Sequence, residues 1–227
     1  MAKAEFDLAR LCTRQFVQET GLCEHMFYGP TSDEYWSAPL RVLAVNMEPY
    51  GCAGGDVDLD ELLGWMFDDS KTGTKTVRKT FSFIRTLLDA YTADIVPTRE
   101  HLKMAYSDST ELKAIAKRAV YYNIRSISNT EKEQDVASIV ASGSSPIADF
   151  TRREMLALEP HVILVSGQAG LTAFNTMWQL APRLCFLTGC RYSDSTFIQS
   201  IRHPSRSNYE EYASTITNVV RAIKPVA

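Results

Sequence analysis

Four short groupings carry residue types that could do hydrolytic chemistry. In Asn46-Met47-Glu48-Pro49-Tyr50-Gly51, one carboxylate sits in a turn punctuated by proline and glycine. A carboxylate so placed can stabilise a developing cation and orient or deprotonate water. In His203-Pro204-Ser205-Arg206-Ser207-Asn208, an imidazole is followed by hydroxyls and a guanidinium. A neutral imidazole is a donor suited to a developing anion. Asn123 offers donor and acceptor from one amide. Ser166-Gly167-Gln168 is a small polar loop whose backbone is open to close approach.

Each grouping follows a short apolar run. Leu40-Arg41-Val42-Leu43-Ala44-Val45 precedes Glu48, and Val120-Tyr121-Tyr122 leads to Asn123. His161-Val162-Ile163-Leu164-Val165 precedes Gly167, and Phe197 to Ile201 precedes His203. Runs of this length and β-rich composition predict buried strands. Helices are predicted between them, over Ala4–Glu19, Thr76–Tyr91, Glu111–Arg118 with Thr110 as N-cap, Pro146–Leu158, from about Gly170 to Leu180, and over Tyr209–Ile223. Segments 20–38 and 126–145 read as loops. The alternation predicts an α/β fold, a three-layer α/β/α sandwich around a central, mostly parallel four-stranded sheet. One domain is expected over 1–227, with a helix and irregular segment in 1–38 and the α/β core in 39–227. Ligands of such sheets bind beyond the carboxyl ends of the strands, where these four groupings fall.

Composition narrows the class. Hydrophobic residues make up 45% and charged residues 22% of the 227, an ordinary globular balance. No apolar stretch is long enough to span a membrane and the first residues lack a signal core, so a cytoplasmic monomer without membrane contact is expected. The net charge of −3 argues against a protein that coats nucleic acid. It leaves room for a local basic patch at Lys71, Lys75, Arg78 and Lys79, a run that reads first as a solvated helix start and only second as a phosphate contact. The five cysteines form no CxxC pair and are expected to be reduced and mostly buried, with no metal or cofactor. Asp56, Asp58 and Asp60 read as helix-entry acids rather than a cation site.

The ordered strand-end groupings resemble the uracil-DNA glycosylase superfamily over roughly residues 40–223. That superfamily has an acid or Asn before proline after one strand, an Asn ending a middle strand, a Gly-containing loop after the next, and His-Pro-Ser after the last. The arginine beyond His-Pro-Ser is closest in style to the single-strand-selective monofunctional branch. The resemblance implies a monofunctional enzyme that flips a pyrimidine-type base out of DNA and hydrolyses its N-glycosidic bond. Glu48 and His203 would be catalytic. Asn123, Tyr50 and Asn46 would recognise the base, and Ser166, Gly167, Ser205, Arg206, Ser207, Lys75 and Arg78 would hold DNA. Asn123 also reads as a strand terminus, and Tyr50 as a core residue.

The chain departs from the pattern in three places. Asn46 stands where glycine is usual, Glu48 where Asp or Asn is commoner, and the stretch from Gly54 to Glu61 lacks the usual stacking aromatic. A roomier pocket suggests a bulky modified cytosine of phage DNA, and a defensive role, as an alternative to uracil repair. A non-catalytic DNA-binding member of the fold and a hydrolase of free nucleosides are the other readings.

Overall fold

In the computed structural model, the described residues are 2–21, 26–27, 29–46, 55–56, 74–124 and 141–224. The elements in chain order are α1 (Ala2–Thr20), β1 (Met26–Phe27), α2 (Glu34–Ser37), β2 (Val42–Asn46), β3 (Gly55–Asp56), α3 (Thr74–Thr92), α4 (Arg99–Ser107), α5 (Ser109–Ala116), β4 (Ala119–Asn123), α6 (Ala148–Ala157), β5 (Val162–Ser166), α7 (Gln168–Trp178), β6 (Gly189–Arg191), β7 (Phe197–Ile201) and α8 (Tyr209–Ile223). A 3₁₀ turn, Pro204–Arg206, lies between β7 and α8.

The main sheet has the order β4-β2-β5-β7-β6. Its first four strands run parallel, and β6 pairs antiparallel to β7 at the edge. β2 and β5 are buried at every position because helices cover both faces. One face carries Val42, Ala44, Ala119, Val162 and Leu164, under Val77, Phe81 and Ile84 of α3 and Ile216 and Val219 of α8. The other carries Leu43, Val45, Val120, Ile163 and Val165, under Met155 of α6 and Leu171 and Phe174 of α7. This is the predicted α/β/α sandwich, with five strands rather than four. The fifth, β6, was not legible because Gly-Cys-Arg has no apolar signature. Its Gly189 lies under the Phe197 ring, which an added Cβ would overlap.

Several boundaries differ from expectation for local reasons. The N-cap of α5 is Asp108, whose carboxylate accepts from the Glu111 N–H at 3.0 Å, so the helix starts before Thr110. α4 was not anticipated: it is short, polar, and buries only Leu102 and Ala105. Its start is set by Thr98, whose hydroxyl accepts from the His101 N–H at 3.2 Å. The 20–38 segment contains α2, tied down by the Tyr35 hydroxyl, which donates to the Leu158 carbonyl at 3.1 Å. Cys12 and Cys185 are exposed and Cys190 is half-buried, contrary to the expected burial of the thiols.

α3 and α8 run side by side in the same direction. Lys79 and Tyr209 meet near their starts, and Lys224 reaches Asp94 just beyond the end of α3. α8 begins directly after the loop that leaves β7, so both helices start at the carboxyl edge of the sheet. α7, which follows β5 after one residue, starts there as well. Among the described residues no helix is long and apolar enough to cross a membrane.

Candidate functional site

Parallel register aligns the strand ends. Asn46 of β2 is level with Asn123 of β4, and the pairing of Val45 with Val165 makes Ser166 of β5 the next neighbour of Asn46. Ser166 is level with Ile201, the last residue of β7 before Arg202 and His203. Residues scattered through the chain thus form one row along one edge.

The His203 end is heavily tied. The Gly167 N–H donates to the Ile201 carbonyl at 2.9 Å, joining the ends of β5 and β7. Gly167 has φ of +73°, and an added Cβ would stand 3.4 Å from the His203 Cβ. That is an ordinary contact distance, so it is the left-handed backbone that favours glycine here. Arg202 directs its Nε at both carboxylate oxygens of Glu211, at 3.1 and 3.0 Å. The Tyr212 hydroxyl donates to the Arg202 carbonyl at 3.3 Å. Lys79 of α3 donates to the Ser207 carbonyl at 3.1 Å. Asn208 caps α8 by accepting from the Glu211 N–H at 2.7 Å.

These ties set the imidazole's protonation. The Ser205 N–H donates to His203 Nδ1 at 3.3 Å, and the Ser205 hydroxyl lies 2.7 Å from the same nitrogen. A backbone N–H can only donate, so Nδ1 presents its lone pair and the neutral ring carries its proton on Nε2. Burial pushes the His203 pKa below its ordinary value, and the Arg206 charge pushes it further the same way. His203 is therefore a neutral Nε2–H donor near pH 7.

The other end is bare. Asn46 and Asn123 are 3% and 5% exposed, and Ser166 is fully buried. Among the described residues, neither polar atom of the Asn46 amide, nor the Ser166 hydroxyl, has a hydrogen-bond partner. Buried polar atoms are normally paired, so three orphans in adjacent register positions are unusual.

No protein-family model, curated protein or solved structure matches this chain.

The predicted site residues fare differently. Asn46, Asn123, Ser166, Gly167 and His203 are brought to one edge. Ser205 and Arg206 are exposed on the turn after His203, and Lys75 is exposed near the start of α3. Three residues expected to hold DNA are turned inward. Arg78 is 5% exposed, donates to the Tyr106 carbonyl and Ser109 hydroxyl at 3.1 and 3.0 Å, and lies over the Tyr106 ring. Helical periodicity explains this, since Arg78 shares the i, i+4, i+8 row of α3 with buried Ser82 and Thr86. Ser207 is buried, and its hydroxyl donates to the Pro204 carbonyl at 2.9 Å. Ser166 lies under the helical layer, not on the surface. Glu48 and Tyr50 lie outside the described residues.

Sequence reasoning read Lys79 only as part of a basic run, and missed the pins Arg202, Glu211 and Tyr212. The Asn208-to-Glu211 spacing of a helix cap was the only local signal among them. Among the described residues no group of three or more His, Cys, Asp or Glu is placed to hold a metal ion.

Proposed function

We propose that this chain is a monofunctional DNA glycosylase that extrudes a pyrimidine-type base and hydrolyses its N-glycosidic bond, leaving an abasic site. The observation that carries this reading is the gathering of Asn46, Asn123, Gly167 and the neutral Nε2–H donor of His203 along one carboxyl edge of a parallel sheet. Water adds its oxygen to C1′ of the sugar as the C1′–N1 bond breaks. The bonding pair departs with the base, whose negative charge concentrates on O2, and the water's proton ends on the base or in solvent. His203 Nε2–H stabilises the departing anion, as an oxyanion donor does. The Glu48 carboxylate follows Asn46 by two residues, a chain reach of about 7 Å, and supplies the group that orients water and offsets the cationic sugar.

Asn123 matches the Watson–Crick edge of an extruded pyrimidine with one donor and one acceptor. The first turn of α7 has Gly167 as N-cap and no side-chain cap, so its N–H groups suit a phosphate. Exposed Ser205, Arg206 and Lys75 lie at or near the same edge and add donors and positive charge for the backbone. No lysine occupies the matched motif positions, so borohydride is expected to trap no covalent adduct with DNA.

The test is abasic-site formation on a uracil-containing oligonucleotide panel, single- and double-stranded, with wild type and Glu48→Gln. The expected result is base release by wild type, its loss in the variant, and retained DNA affinity in both. DNA binding without base release by wild type would leave only a binding protein. Activity confined to free nucleosides would make it a nucleoside hydrolase.

A further inference from the structure

We propose that Leu187 is an apolar wedge that enters the base stack of duplex DNA beside the extruded nucleotide, so that base release from a duplex depends on it. This rests on the glycosylase reading and extends it to a residue outside the strand-end groupings. Leu187 sits in the turn between α7 and β6. The Thr188 N–H donates to the Cys185 carbonyl at 3.2 Å, which puts Leu187 at the third position of a four-residue turn. Its φ is +61°. Glycine takes that left-handed position without strain, and a branched side chain takes it at a cost. Of the four non-glycine residues with positive φ among the described residues, the other three are Asp94, Glu159 and Gln179, all polar. Leu187 is also 38% exposed, so it is not held there as a core residue. Strained backbone of this kind gathers where a protein meets its ligand.

Ladder register fixes where the turn lies. β6 pairs Gly189 with Gln199, and the Ser200 N–H continues the ladder by donating to the Thr188 carbonyl at 2.9 Å. Gln199 Nε2 donates to the same carbonyl at 3.1 Å, and the Leu187 N–H donates to the Ser200 hydroxyl at 3.4 Å. By the same count Leu187 stands level with Ile201, which is itself level with Ser166. Leu187 therefore extends the strand-end row one step beyond β7, on the His203 side. Of the exposed large apolar side chains among the described residues, it is the one that register sets level with the strand ends. The border suits a polyanion. Segments 181–188 and 202–208 carry Arg183, Arg202, His203 and Arg206 and no carboxylate, in a chain of net charge −3. Glu211 holds Arg202, while Arg183 and Arg206 are exposed and suit phosphates. An exposed apolar side chain on the same border answers what phosphates do not offer: the flat base faces uncovered when one nucleotide leaves the stack.

The test compares kcat/KM for uracil release from double- and single-stranded oligonucleotides of one sequence, with melting temperature recorded for every variant. Leu187→Gly removes the wedge and relieves the backbone. It is expected to melt no lower than wild type, yet to lose at least about tenfold on the duplex and less than about twofold on the single strand. Leu187→Met, an apolar side chain of similar reach, should keep most of the duplex activity. Leu187→Asn also tolerates a left-handed backbone, should repeat the glycine result, and keeps the test open if Leu187→Gly does not fold. A second readout does not need turnover. A duplex with 2-aminopurine beside the uracil should brighten on binding Glu48→Gln, and not on binding Glu48→Gln with Leu187→Gly. Equal loss on both strand forms, unchanged duplex activity in a folded Leu187→Gly, or brightening that survives it overturns the wedge and leaves the glycosylase reading intact. Wild type that releases uracil from single strands only has the same consequence. No release from either form overturns the glycosylase reading and the wedge together.

Discussion

The two ends of the strand-end row are built in opposite ways. From Arg202 to Asn208 the chain is pinned by Glu211, Tyr212, Lys79 and its own turn, and the His203 ring is held by Ser205. From Asn123 to Ser166 the row is buried where Ser205 and Arg206 are exposed, yet the Asn46 amide and the Ser166 hydroxyl have no hydrogen-bond partner among the described residues. The first end is preorganised: its hydrogen bonds are already made, as the proposed role of His203 as an anion donor requires. The second end carries buried polar atoms unpaired among the described residues, which opposes folding.

The comparison breaks most visibly at His203. Removing the donor in His203→Ala is expected to slow base release by about 10²–10³-fold, as loss of one oxyanion donor does, with DNA affinity largely kept. Rapid-quench assays alongside binding titrations would show it, and an unchanged rate would strip the imidazole of its role. Next is Gly167→Ala. Its φ of +73° should cost about 1–2 kcal/mol, read as a lower urea midpoint, because the added methyl meets His203 at an ordinary contact distance and the strain is in the backbone.

Asn46→Leu should move the other way and stabilise the fold by about 1 kcal/mol, because a leucine has the same branched skeleton and leaves no buried amide unpaired. Destabilisation there would mean that the amide is satisfied in the folded protein. Smallest is Lys79→Met, which frees the Ser207 carbonyl and should cost about 0.5–1.5 kcal/mol.

Acid sharpens the contrast. The folded protein holds His203 below its ordinary pKa, so the unfolded chain takes up this proton first as pH falls. The stability linked to His203 is fully present above about pH 6.5 and is lost as pH drops through the lower folded value. Protonating Nδ1 also breaks its acceptance from Ser205. Base release is expected to hold at pH 6.5 and to fall only below it. Arg206→Gln should shift that fall to higher pH by removing the nearby charge, and a profile unmoved by the substitution would count against the assignment.

Much of this was legible in the chain. The strands before Asn46, Asn123, Gly167 and His203 announce themselves as apolar runs ended by polar or turn residues, because a strand buried on both faces needs uninterrupted apolar residues. α8 is legible from its cap and its amphipathic spacing. β6 and α4 are not, since neither buries enough apolar surface to leave a pattern. Arg78 shows the limit at the level of one residue. As a basic residue in a basic run it reads as solvent-facing, but the phase of α3 turns it toward Tyr106 and Ser109.

The amino-acid sequence by itself determined the α/β alternation, the residues that end each strand, and the glycine that lets β5 turn into α7. These depend on local periodicity and backbone freedom, which a chain carries in every short window. Only the tertiary structure decided that Asn46 lies between Asn123 and Ser166, that a fifth strand closes one edge, and that Arg78 and Ser207 face inward. It also decided which nitrogen of His203 holds the proton. Register, helix phase and the count of satisfied donors are relations between distant segments, and they exist only once the segments pack.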